Sequence, residues 1–177
     1  LIALTWFGFS HVPTGFVPSQ DKQYLVAFAQ LPDAASLDRS ENVIQRMSAI
    51  ALKQPGVEHA VAFPGLSING FTNSTNSGIV FVTLKPFEDR RSADLSAGAI
   101  AGALNQKFGA IQDAYIAVFP PPPVMGLGTI GGFRMQIEDR SDRGFDELYK
   151  QTQNLIAASR KDPALAGLFS SFQVSVP

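Results

Sequence analysis

Residues 23–31 read Gln-Tyr-Leu-Val-Ala-Phe-Ala-Gln-Leu, and the fold turns on how this stretch is read. It is dense in apolar and β-favouring residues and stops at Leu31-Pro32-Asp33, which predicts a strand. Successive side chains of a strand point to opposite faces. Leu25, Ala27, Ala29 and Leu31 therefore share one face, and Tyr24, Val26, Phe28 and Gln30 share the other. The small residues of the first set suit close packing against helices. The second set is also apolar and needs a cover of another kind.

Outward from this strand, Ser36 is a good helix N-cap, Asp38 lies in the favourable first turn, and Val43, Ile44, Met47, Ile50 and Ala51 follow helical spacing. Pro55-Gly56 ends that helix. Residues 57–63 predict a second strand and residues 78–85 a third, with Val80, Val82 and Leu84 opposing Ile79, Phe81 and Thr83. Ser92 is the expected cap of a second helix, whose Ala97, Ile100, Ala101, Leu104 and Phe108 lie on one face. Residues 114–119 predict a fourth strand, with Ile116 and Val118 opposing Tyr115, Ala117 and Phe119. The order β-α-β-β-α-β is the split βαβ, or ferredoxin-like, arrangement, within the α+β class. The pattern then restarts. Residues 132–138 predict a strand, a helix follows with Phe145, Leu148, Thr152, Leu155 and Ile156 on one face, and residues 168–176 predict a further strand. This βαβ is half of a second, similar unit. Its helix would have too little sheet to cover it, so partner strands are expected from elsewhere.

Two helices cover only one face of a four-stranded sheet. The other face, carrying Phe28, Phe81, Tyr115 and Phe119, must meet another domain or line an apolar cleft. The link between the second and third strands, residues 64–77, is far longer than a usual hairpin loop and rich in Gly, Asn, Ser and Thr. Phe71 is its lone large aromatic, either a contact element or an anchor that tucks the loop into the core.

The composition narrows the function. Lys and Arg number 14 against 15 Asp and Glu, so there is no electrostatic footprint for nucleic acid and no polybasic membrane anchor. Zero cysteines exclude disulfides, thiolate metal sites and a cysteine nucleophile. With only His11 and His59, a histidine-based metal site would need carboxylate help. Residues 126–131 fit GxGxxG, but a proline run precedes them and a strand follows, so a hinge at Gly126 and Gly128 fits better than a dinucleotide cradle. Pro120 to Pro123 suits a rigid connector, and the Asn73-Ser74-Thr75 sequon is the kind of triplet chance supplies. Glu88, Asp89, Glu138 and Asp139, among Arg90, Arg91 and Arg140, are expected as solvated or paired surface charges. No general acid–base pair stands out and no cofactor is implied. The nearly wholly apolar residues 1–9 are about half the length of a spanning helix. They suit the last turns of a transmembrane helix with Trp6 at the interface, or else a short buried first element.

Several segments together carry a family resemblance: Pro13-Thr14-Gly15-Phe16-Val17-Pro18, Gln30-Leu31-Pro32, Ile68-Asn69-Gly70-Phe71, Ser77-Gly78-Ile79-Val80-Phe81-Val82 and Leu127-Gly128-Thr129. The chain resembles the inner-membrane pump of resistance–nodulation–division multidrug efflux systems, in the hydrophobe/amphiphile exporter branch, over essentially its whole length. The resemblance implies that residues 1–12 end a transmembrane helix, that residues 17–125 are the first porter subdomain of the second half, and that residues 126–177 are the first half of its second porter subdomain. It implies a proton-driven homotrimer in the bacterial inner membrane, this segment mostly periplasmic, with a periplasmic adaptor and an outer-membrane channel as partners and amphiphilic drugs as cargo. The remaining helices, which hold the proton relay and contact the bilayer, would lie outside these residues. Position by position it implies that Val26, Phe28 and Gln30 line a substrate pocket, with Ser77, Phe119 and Pro121, and that Phe71 on a switch loop, Phe81, Leu66 and Ile68 belong to it too. There are departures: the loop is slightly shorter and lacks a second Phe, Leu66 and Ala117 replace aromatics, Gly126 replaces an acid, and Arg134 stands where an acid is usual. Substrate preference does not transfer. The rival reading is a stand-alone ferredoxin-like small-molecule-binding or regulatory module.

Overall fold

The computed structural model describes residues 2–11, 20–68, 71–122 and 135–162, together with positions 165, 168, 170, 172 and 174. Strands β1 (Tyr24–Gln30), β2 (Val57–Leu66), β3 (Asn73–Leu84) and β4 (Tyr115–Phe119) form one sheet in the order β2-β3-β1-β4. Every neighbouring pair is antiparallel. Helix α1 (Ile2–His11) precedes the sheet, α2 (Leu37–Leu52) joins β1 to β2, α3 (Ala97–Phe108) joins β3 to β4, and α4 (Phe145–Ser159) follows. The class is α+β.

Helix α2 starts where its sequence asks it to. The Ser36 hydroxyl accepts the Arg39 N–H, satisfying one of the donors a helix start leaves unpaired. Its Val43, Ile44, Met47 and Ala51 are buried, as helical spacing predicts. Helix α3 presents Ala97, Ile100, Ala101, Leu104 and Phe108 to the same side. These two stripes meet Leu25, Ala27, Ala29, Val80, Val82, Leu84 and Val118 of the sheet, and together they form the main core. The β4 edge is finished by Asn105 of α3: its amide donates to Val118 C=O at 2.8 Å and its carbonyl oxygen accepts Val118 N–H at 2.9 Å. A side-chain amide thus takes the place of a further strand at that point.

Several expectations are corrected. Ser92 precedes only a single 3₁₀ turn, Ala93–Leu95, with no side-chain capping bond, and α3 begins four residues later, where Ser96 accepts the Ala99 N–H. The cause is Arg90, which takes the Leu95 carbonyl at 2.9 Å, while the Asp21 carboxylate takes the Ala97 N–H. Arg90 brings the second difference: it stands among charges expected to be solvated or paired at the surface, and it is paired but buried, at 6% exposure. Its guanidinium donates to Lys85 C=O and forms a two-pronged pair with Asp21, at 2.9 and 3.2 Å. The third concerns the link at residues 64–77. β2 runs on to Leu66 and β3 starts at Asn73, so most of it is strand, closed by Ser67 N–H on Thr72 C=O. Pro64 and Gly65 are tolerated because β2 is an edge strand with a register irregularity between Pro64 and Leu66.

Within the predicted strand at 132–138, residues 135–138 are not strand, and 132–134 lie outside the described residues. Of the predicted strand at 168–176, the described positions 168, 170, 172 and 174 are not strand either. Helix α4 forms as expected, but Thr152, Ile156 and Ser159 are its buried residues, while Phe145 is 73% exposed. Helix α1 is apolar and exposed, with Ile2, Leu4, Trp6, Phe7 and Phe9 open to solvent. No helix among the described residues is long and apolar enough to cross a membrane.

Candidate functional site

The face of the sheet opposite α2 and α3 has no helix over it among the described residues. Period-two alternation sends Val26 and Phe28 of β1, Ile79 and Phe81 of β3, and Ala117 and Phe119 of β4 to this side. Register then brings them together: Val26 stands between Phe81 and Phe119, and Phe28 between Ile79 and Ala117. Val26, Phe28 and Ile79 are buried, and Tyr24, Leu66, Ile68, Phe81, Ala117 and Phe119 pack around them partly exposed. The Phe28 ring lies 5.7 Å from that of Phe119 and 5.9 Å from that of Tyr115, both tilted. Phe63 meets Phe81 edge to face at 5.8 Å. Tilted and edge-to-face pairs of this kind are worth about 0.5–1.5 kcal/mol beyond area burial. The clustered side chains are aliphatic or aromatic, so the face can bind by burial and ring contact.

Of the ten residues singled out as substrate contacts, the fold brings six into this cluster: Val26, Phe28, Leu66, Ile68, Phe81 and Phe119. Gln30 and Ser77 are directly paired across β1 and β3 at one end of it, the Ser77 hydroxyl donating to Gln30 Oε1 at 3.0 Å. Phe71 stands apart from the buried group, 62% exposed and at φ +53°, a left-handed conformation uncommon for a bulky residue. Pro121 is buried beyond the end of β4. The hinge positions Gly126 and Gly128 lie outside the described residues. Sequence reading missed Val61 and Phe63, which extend the face onto β2 at 49% and 42% exposure. The alternation His59, Val61, Phe63 within β2 carried that signal.

Three carboxylates have pKa values held below the ordinary value. Burial pushes the Asp21 carboxyl up, but hydrogen bonds from Arg90 and from the Gln23 and Ala97 N–H groups, with the guanidinium charge, outweigh it and hold its pKa below the ordinary value. Asp113 is likewise held low, by its hydrogen bond from Arg46 first and by Arg39 second. Asp139 is held low by the Ser141, Gly144 and Arg143 N–H groups that its carboxylate gathers ahead of α4. A shallow open hollow of about 460 Å³, lined by Phe145, Asp146, Phe172 and Val174, belongs to the α4 region and contains none of the expected contacts.

Comparison with known proteins gives a consistent result. The family model described as AcrB/AcrD/AcrF family matches residues 1–177. The chain is 30% identical over 158 residues to multidrug export protein AcrF of Escherichia coli, covering 88% of this chain and 15% of that protein. It is 29% identical over 167 residues to toluene efflux pump membrane transporter TtgE of Pseudomonas putida, covering 93% and 16%. Multidrug resistance protein MdtF of Escherichia coli is 27% identical over 157 residues, covering 88% and 15%. The chain thus spans only 15–16% of the length of these curated relatives.

Proposed function

The chain belongs to the AcrB/AcrD/AcrF family, and on that premise we propose that it is the periplasmic drug-binding porter region of a proton-driven multidrug efflux transporter. Residues 17–125 form its first porter subdomain, with the ferredoxin-like topology that the order β2-β3-β1-β4 and the two covering helices support. Residues 126–177 form the first half of a second subdomain, joined to the first by a hinge at Gly126 and Gly128. Residues 1–12 end a transmembrane helix, a reading supported by the apolar, exposed surface of α1. The intact protein is a homotrimer in the bacterial inner membrane that hands amphiphilic compounds, through a periplasmic adaptor, to an outer-membrane channel. No catalytic role is assigned to any residue.

The observation that carries this reading is the uncovered aromatic face. A half-buried apolar cluster on a rigid sheet can take up an amphiphile at about 25 cal/mol per Å² of apolar area removed from water. Such burial is non-directional, which suits cargo of varied shape. Phe81 and Phe119 test it, because both are partly exposed and peripheral to the main core. In the intact transporter, expressed in an efflux-deficient bacterium, Phe81→Ala and Phe119→Ala should each raise susceptibility to amphiphilic drugs several-fold at matched protein levels. Unchanged resistance in both variants would remove this face from the transport path.

A further inference from the structure

Strand β3 outruns its neighbour. β1 ends its pairing at Gln30 opposite Ser77, so residues 73–76 of β3 extend past it with β2 on one side only. On that side, too, the ladder is irregular between Pro64 and Leu66. An overhang of this kind leaves backbone groups without strand partners. Here side chains and one loop amide supply them. Ser40 of α2, fully buried, donates its hydroxyl to the Thr75 carbonyl. The Leu31 N–H donates to the Asn76 carbonyl at 2.8 Å, and Gln30 Nε2 reaches the same oxygen at 3.3 Å. Asn76, only 3% exposed, returns a bond from Nδ2 to the Leu31 carbonyl and accepts the Ser74 hydroxyl at 2.6 Å. The Ser77–Gln30 bond completes the set.

Helix α2 is also seated unusually close here. A Cβ on Gly78 would stand 2.5 Å from Ile44 Cγ1, and one on Gly65 would stand 2.8 Å from Leu37 Cδ1. Gly65 adopts φ +77°, a conformation that suits glycine. Contact at two glycines and a buried hydroxyl bond fix the helix to the base of the β2–β3 hairpin.

We infer that Ser40, Asn76, Ser77 and Gln30 form a polar clamp that fixes the base of this hairpin and so positions Phe71, two residues before the clamped strand begins. That Phe71 meets cargo rests on the function proposed above; the clamp itself does not. Gln30 and Ser77 then act as positioning residues, because the Ser77 proton and the Gln30 amide are spent on internal bonds.

Hydrogen–deuterium exchange on the intact protein, with Ser40→Ala and Asn76→Ala, tests the clamp. Exchange across residues 73–77 should become at least about tenfold faster, while residues 79–83 in the middle of the same strand stay as in the parent. Equal acceleration of both segments would show a general loss of stability, and no acceleration would show that the bonds hold nothing; either overturns the clamp. Drug susceptibility then tests the coupling to Phe71. Ser40→Ala should lower resistance in the parent and add nothing to Phe71→Ala. Additive losses would overturn the coupling, and a silent Phe71→Ala would overturn its contact with cargo, while the exchange rates decide the clamp independently.

Discussion

On the face covered by α2 and α3, β1 presents Leu25, Ala27 and Ala29 at 0–1% exposure. On its other face the same strand presents Val26 and Phe28, and the rings around them, Tyr24, Phe81 and Phe119, stay half-buried. The difference lies in side-chain size as much as in cover. Helices approach a sheet closely over alanines, and the aliphatic stripes of α2 and α3 fill the remaining space. The open face carries aromatics, which reach outward, touch one another at 5.7–5.9 Å and leave ring edges available. One face is closed by α2 and α3; the other has no helix over it among the described residues.

The comparison breaks most decisively if the closed face proves dispensable. Phe108, the last residue of α3, is 1% exposed, and Phe108→Ala should cost about 3–5 kcal/mol, seen as a large fall in the urea midpoint. A shift comparable to that of an exposed residue would mean that the two faces are not energetically distinct.

Next comes the ionic anchor on the closed side. Arg90→Ala strands the Asp21 carboxylate and the Lys85 and Leu95 carbonyls, and should cost about 3 kcal/mol. Because folding lowers the Asp21 pKa, the unfolded chain holds that proton more tightly than the folded one. The contribution is therefore complete above about pH 4 and is lost as pH falls through the depressed folded value. Stability curves of the parent and of Asp21→Asn, measured against pH, should differ at neutral pH and converge in acid. A gap that stays constant down to low pH would sink the assignment.

A smaller change sharpens the contrast. Phe81→Ala removes a partly exposed ring from the open face, and should cost only about 1–2 kcal/mol while the transport defect described above remains. If its thermal shift matches that of Phe108→Ala, the open face is core and not binding surface. Smallest of all, Phe71→Ala should leave stability within about 0.5 kcal/mol, because the ring is 62% exposed and outside both clusters. A drop of several degrees in melting temperature would identify Phe71 as an anchor of the hairpin.

Much of the candidate site was legible in the chain. Alternation put Val26 and Phe28 on one side of β1 and singled out Phe81 in β3 and Phe119 in β4, because side-chain direction along a strand depends only on position, and register joined the three sets on one face. Val61 and Phe63 were equally accessible, through the alternation in β2. The lengths of β2 and β3 were not. Pro64, Gly65 and the run Asn73-Ser74-Thr75-Asn76 read locally as loop, and local propensity gives no account of Ser40 or Leu31, which stabilise that run as strand. The start of α3 escaped for a similar reason: Ser92 and Ser96 are equivalent as sequence, and Asp21 with Arg90 chose between them.

Periodicity and short local stretches suffice for the strand and helix order through β4, for the faces of α2 and α3, and for the family. Tertiary structure decided which serine starts α3, where the β2–β3 hairpin closes, and that Arg90 is buried. Each of these depends on partners far along the chain, as Asp21 is from Arg90 and Ser40 from Thr75. A charged or hydrogen-bonding group is stable out of water only when such a partner arrives, and its arrival is a property of the fold and not of the neighbouring residues.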